Sequence, residues 1–301
     1  MNSKILSIVV FCLLIINISF TSGDIEHEEH SHDHSSHDHD SHRKLFTGED
    51  SDDTPAEQKE KLRSIVSKID SNNDQQVSKD EMRKYVEEKI RDQQKREFQD
   101  LVSILDPNNE EKVTFSAYIR DNYGDADMSE LEQTDNTDLR LRETRRTYMA
   151  DKEKWQLLDK DGDKSLTYDE FYKFTRPEDN DDLRRVEINS MIKEYDTDND
   201  GQISSEEYKK MTEAETGQAD VLSDELDKNR DGFAEYEEFA RYYLPTSSMT
   251  MDEEANHLME ECDKDKNGHC SADEIVNAYS TFSGSQVTDF GADLEEGHTE
   301  L

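Results

Sequence analysis

The sequence predicts an all-α chain of tandem helix-loop-helix units, about six in three pairs, with short β bridges between paired loops. Three observations predict it. A twelve-residue acidic segment recurs, starting at Asp70, Asp106, Asp159, Asp196, Asp227 and Asp263. Its flanks carry apolar residues at helical spacing. The composition is unsuited to one thick core: of 301 residues only 31% are hydrophobic, and 75 acidic against 36 basic residues leave a formal net charge of -39. That charge excludes nucleic acid, which needs a basic face, and favours cations or basic proteins.

The recurring segment has the chemistry of an EF-hand calcium loop. Ca²⁺ is a hard cation that takes several oxygen ligands, supplied at loop positions 1, 3 and 5, by a backbone carbonyl at 7, through water at 9, and by a bidentate Glu at 12. Gly at 6 allows the sharp turn. Three loops satisfy the whole pattern. They carry Asp196, Asp198, Asp200, Gln202 and Glu207; Asp227, Asn229, Asp231, Phe233 and Glu238; and Asp263, Asp265, Asn267, His269 and Glu274. At Phe233 and His269 the backbone carbonyl is the expected ligand.

Two loops keep the ligands and lose the glycine. Asp70, Asn72, Asp74, Gln76 and Glu81 surround Gln75 at position 6; Asp159, Asp161, Asp163, Ser165 and Glu170 surround Lys164. A side chain at positive φ costs on the order of 1 kcal/mol, so these sites are expected to bind roughly fivefold to tenfold more weakly. The loop at Asp106 has Glu111 at position 6 and Ala117 at position 12. Without the closing carboxylate it is expected not to bind Ca²⁺.

The helical stripes justify the flanks. Leu62, Ile65, Val66 and Ile69 precede Asp70; Met82, Tyr85, Val86 and Ile90 follow Glu81; Phe98, Leu101, Val102 and Leu105 precede Asp106; Ile188, Met191, Ile192 and Tyr195 precede Asp196; Ile275, Ala278, Tyr279 and Phe282 follow Glu274. Trp155, the only tryptophan, falls on the inner face of an entering helix. One hand cannot bury its stripe alone, so hands are expected to pair through position 8. Neighbours in sequence would give Val77 with Val113, Leu166 with Ile203, and Ala234 with Cys270, the loop at Asp106 propping that at Asp70.

The chain then divides into a signal peptide (1–23), a disordered leader (24–57), hand pairs over 58–120, 148–215 and 216–283, an acidic linker (121–147) and a tail (284–301). The signal rests on the apolar run Ile5–Ile16 and the small residues Thr21 to Gly23. No later stretch is apolar enough to cross a bilayer. The tract His27–His42 holds seven histidines; it reads as a flexible acidic leader, with transition-metal binding as the alternative. Cys262 and Cys270 either sit as buried thiols or bridge across the last loop. The end, His298-Thr299-Glu300-Leu301, is similar to an endoplasmic-reticulum retrieval signal, with Thr299 in place of Asp.

With these loops in place, the chain resembles the reticulocalbin–calumenin group of secretory multi-EF-hand proteins over roughly Gln58 to Gly291. The likeness is sharpest at Trp155–Phe171, at Asp263–Ile275, at the run Gly284 to Gly291 and at the retrieval-like end. The resemblance implies low-affinity Ca²⁺ binding in the lumen of the endoplasmic reticulum and Ca²⁺-dependent contact with client or regulator proteins. A chaperone or enzyme regulator with structural Ca²⁺ is the rival reading. No P-loop and no GxSxG motif occurs, so catalysis is not expected, and the chain is expected to be a monomer.

Overall fold

A computed structural model describes residues 55–124, 128, 132, 139–216, 219–283 and 285. The expected signal peptide, the histidine tract and most of the tail lie outside the described residues. The chain forms two compact units, one of Phe98–Ser247 and one joining the described parts of Ile25–Glu97 and Ser248–Leu301. Among the described residues are eleven α-helices and six short strands.

Hand 1 consists of α1 (Pro55–Ile69), β1 (Gln76–Ser78) and α2 (Lys79–Leu105); α2 also enters hand 2, followed by β2 (Lys112–Thr114) and α3 (Phe115–Tyr123). Hand 3 is α4 (Leu139–Leu158), β3 (Ser165–Thr167) and α5 (Tyr168–Phe174). Hand 4 is α6 (Asp181–Tyr195), β4 (Ile203–Ser204) and α7 (Ser205–Thr216). Hand 5 has β5 (Phe233–Ala234) and α8 (Tyr236–Tyr243); hand 6 has α9 (Ser247–Cys262), β6 (His269–Ser271) and α10 (Ala272–Asn277), with α11 (Tyr279–Ser283) after it.

Three boundaries differ from expectation. Pro55 opens α1 inside the predicted leader, since proline suits the first helical turn. α4 begins at Leu139, inside the predicted linker, where Leu, Arg and Glu favour helix. Hand 5 reaches its loop through a turn held by the Asp227 amide on the Ser223 carbonyl. Loops 4 and 5 start only 31 residues apart, and after α7 too little chain is left for a full entering helix.

The pairing also differs, and it shifts by one hand. β1 pairs with β6, β2 with β3, and β4 with β5, all antiparallel. The position-8 partners are therefore Val77 with Cys270, Val113 with Leu166, and Ile203 with Ala234. The cause lies in α2. Its 27 residues contain no glycine or proline, and an unbroken helix does not fold back, so the loops at its two ends cannot pair with each other. Hand 1 takes hand 6, and hand 2 takes hand 3.

Each pair has its own core. The 1–6 pair buries Leu62, Ile69, Met82, Leu258 and Ile275 among others. The 2–3 pair is aromatic: the Trp155 ring centroid lies 5.0 Å from Phe115, 5.2 Å from Phe174 and 5.8 Å from Tyr118. The 4–5 pair is mainly aliphatic, with Ile188, Ile192, Ile203 and Leu226 around Phe239.

Candidate metal centres

All six loops share one backbone. Positive φ recurs at position 4 (Asn73, Asn109, Gly162, Asn199, Arg230, Lys266) and at position 6 (Gln75, Glu111, Lys164, Gly201, Gly232, Gly268). The segment at Asp106 is thus an EF-hand loop in shape. Gln75 at φ 69 and Lys164 at φ 65 occupy the left-handed region with a side chain attached, which costs about 1 kcal/mol each.

Hydrogen bonds aim the carboxylates inward. The position-1 carboxylate accepts the amides of positions 5 and 6, as Asp196 does from Asp200 at 3.1 Å and Gly201 at 2.9 Å. Asp70, Asp227 and Asp263 repeat the pattern. The position-3 side chain accepts from position 5, and position 5 from position 7. Three acidic clusters result, with ligand atoms within 4.8 Å of one another: Asp159, Asp161 and Asp163; Asp196, Asp198 and Glu207; Asp263, Asp265 and Glu274. Loops 1 and 5 have Asn72 and Asn229 at position 3, so an amide oxygen stands where loops 3, 4 and 6 have a carboxylate.

The position-12 glutamate has two tasks. With position 9 it forms a capping box on the exit helix at Thr167/Glu170, Glu235/Glu238 and Ser271/Glu274. In loops 1, 4 and 5 its other oxygen reaches back to amides at the start of the loop: Glu81 to Ser71 and Asn72, Glu207 to Thr197, Glu238 to Lys228 and Asn229. Burial alone would raise the Glu207 carboxyl, but donors from Ser204 and Thr197 hold it down to about 2. Asp198 goes the other way. Despite the Asp200 amide, lost hydration and repulsion from Asp200, Glu207 and Asp196 push its carboxyl up. Crowded ionised oxygens of this kind suit a divalent cation.

Loop 2 is closed without such a cluster. Asp106, 7% exposed, accepts the Glu110 amide at 3.0 Å and the Tyr168 hydroxyl at 2.9 Å. At Ala117 only the Thr114 half of the cap remains.

A model of the EF-hand domain pair matches residues 149–213. That stretch holds hands 3 and 4, consecutive in the chain although each pairs elsewhere. Over 261 residues, 82% of this chain and 85% of the relative, the chain is 28% identical to Reticulocalbin-2 of Crotalus adamanteus. The chain is similar to reticulocalbins over most of its length. It is 33% identical to Reticulocalbin-3 of Homo sapiens and of Rattus norvegicus over 161 residues, and spans about half the length of these two relatives. It is a calcium-binding EF-hand protein. Among the described residues no helix is long and apolar enough to cross a membrane.

Some features of this chain were left open by the sequence or absent from its reading. Cys262 and Cys270 form a disulfide across loop 6, with Cα atoms 5.7 Å apart and both residues buried, which resolves the two alternatives for them. Lys154, 3% exposed, pairs with Asp151 at 3.0 Å and with Glu187 at 2.7 Å, over the Phe174 ring. Asp151 also accepts the Tyr118 and Tyr123 hydroxyls at 2.7 Å. These two carboxylates are buried and lie outside the loops. The Lys154–Glu187 contact ties α4 to α6. Its only sequence trace is an i,i+3 charge pair that reads as surface.

Proposed function

We propose that the chain is a low-affinity Ca²⁺ binder of the secretory-pathway lumen, with five working loops. The ligand sets are Asp70, Asn72, Asp74, Gln76 and Glu81; Asp159, Asp161, Asp163, Ser165 and Glu170; Asp196, Asp198, Asp200, Gln202 and Glu207; Asp227, Asn229, Asp231, Phe233 and Glu238; and Asp263, Asp265, Asn267, His269 and Glu274. The observation that carries this reading is the shared loop backbone, with a position-12 glutamate in five of six copies. Ca²⁺ supplies a divalent charge that offsets the repulsion among inward-facing carboxylates. The loops supply the oxygens, and the capped exit helices carry the order outward to the cores.

Extracellular-type EF-hands work at roughly 0.1–1 mM. In that range the chain buffers Ca²⁺, compacts and engages client or regulator proteins as a monomer. Retention in the endoplasmic reticulum rests on the leading apolar run and the His298–Leu301 end, both outside the described residues. Calorimetric titration of the mature chain is expected to give five equivalents in the millimolar decade, with gain of helix by circular dichroism. No bound metal at millimolar Ca²⁺ would overturn the reading. Client capture that is equal with and without chelator would remove the Ca²⁺-dependent part.

A further inference from the structure

In each β pair, position 7 of one loop stands opposite position 9 of its partner: Gln76 faces Ser271, Lys112 faces Thr167, and Phe233 faces Ser204. A position-7 side chain therefore lies at the rim of the neighbouring loop. Five of the six residues there are Gln76, Ser165, Gln202, Phe233 and His269; only loop 2 places an amine, Lys112. Its ammonium contacts the Asp163 carboxylate of loop 3 at 2.5 Å. Asp163 holds position 5 in the cluster with Asp159 and Asp161.

The lysine is held on a firm base. Loop 2 keeps its shape through Glu110, Thr114 and the Tyr168 hydroxyl, and the Phe115 amide donates to the Lys164 carbonyl of loop 3 at 3.0 Å. The loop that lacks a closing glutamate is thus fixed against its partner without metal.

We propose that Lys112 is an affinity-determining residue for loop 3, a tethered counter-ion that Ca²⁺ must displace from Asp163. The proposal rests on loop 3 being a calcium site. It assigns loop 2 a role beyond bracing, since the loop lowers its partner's affinity. The contact is between side chains 45% and 37% exposed, so the effect has the scale of an exposed ion pair. With the cost of Lys164 at position 6, loop 3 fills late.

The test is Ca²⁺ titration of the mature chain followed by Trp155 fluorescence, since Trp155 packs against Phe171, the residue after Glu170. K112Q is expected to lower the Ca²⁺ midpoint roughly threefold to fivefold, with the calorimetric stoichiometry unchanged. Half-molar salt should shrink the difference. K160Q removes the same charge from loop 3 itself, at an exposed residue with no ion pair to Asp163 among the described residues, and should shift the midpoint less. A K112Q midpoint equal to the parent's, higher than it, or matched by K160Q overturns the assignment alone. If the parent shows no Trp155 transition up to millimolar Ca²⁺, loop 3 is not a calcium site and both readings of it fall.

Discussion

The 2–3 and 4–5 hand pairs lie in the same unit and share a loop backbone, yet they are held together by different means. The 2–3 pair has three-residue strands, an aromatic core around Trp155, and one loop closed by protein donors alone. The 4–5 pair has two-residue strands, a mainly aliphatic core, and two acidic loops side by side, one entered through a turn. Repulsion is thus concentrated in the 4–5 pair, while covalent-free bracing is concentrated in the 2–3 pair. Dependence on metal should be unequal: in chelator the 2–3 pair stays folded, and Ca²⁺ only shifts α5 against Trp155, whereas the 4–5 pair orders on adding Ca²⁺.

The largest expected effect comes from the buried charges at the junction of α4 and α6. K154M leaves Asp151 and Glu187 buried without their cation, and is expected to cost about 3–5 kcal/mol, read as urea unfolding followed at Trp155. The pH dependence follows from the two shifts. Burial would raise the Glu187 carboxyl, but Lys154 holds it below its usual value of 4.5. Its contribution is therefore complete above pH 4.5 and lost as pH falls through the folded value. Burial would lower Lys154, but Glu187 and Asp151 push it above 10.5, so its contribution is lost only in strong alkali. Stability of the 2–3 pair should fall on acidification in the parent, with a shallower slope in K154M. Equal stability of the two chains would mean the junction adds nothing to the 2–3 pair.

Next in size is the closing carboxylate of loop 4. E207Q retains a side chain able to cap α7 but loses the ionised bidentate ligand. It is expected to weaken that site about a hundredfold, given how strongly ligand charge tunes EF-hand affinity. Calorimetry should lose one equivalent while the Trp155 transition stays in place. A Trp155 transition that disappears with it would show that the two pairs respond as one. A smaller change is expected from K164G, which removes a side chain at φ 65. About 1 kcal/mol of relieved strain should tighten loop 3 roughly fivefold, again at Trp155.

The loops were legible in the sequence because calcium chemistry fixes both residue type and spacing, and the stripes because helical burial does the same. Pairing was not. The position-8 residues Val77, Val113, Leu166, Ile203, Ala234 and Cys270 are all small or apolar and carry no address. The deciding feature is the absence of any breaker in α2, which becomes informative only once a helix is known to span both hands. Contacts such as Lys112–Asp163 and Tyr168–Asp106 join residues 51 and 62 positions apart, beyond any local pattern. Asp151 and Lys154 did not stand out because an i,i+3 pair looks alike on a surface and in a core. The cysteines, eight residues apart, allowed a bridge without requiring it.

The finest distinction between the two pairs lies at loop position 10. In the 2–3 pair it is Tyr168, whose hydroxyl donates to the buried Asp106 carboxylate; in the 4–5 pair it is Ser205, whose hydroxyl donates to the Gly232 carbonyl at 3.1 Å. Y168F leaves an ionised, nearly inaccessible carboxylate with one donor fewer, and a charge-assisted bond is the stronger kind. S205A leaves a neutral carbonyl at a half-buried glycine, where water can replace the lost donor. Y168F is therefore expected to lower chelator-state stability by about 1–2 kcal/mol, and S205A by less than about 0.5 kcal/mol. Hydrogen exchange of the β2–β3 and β4–β5 amides would read each variant at its own pair. If S205A cost as much as Y168F, bracing by protein donors would not distinguish the metal-free loop, and the inequality between the pairs would have to come from their cores alone.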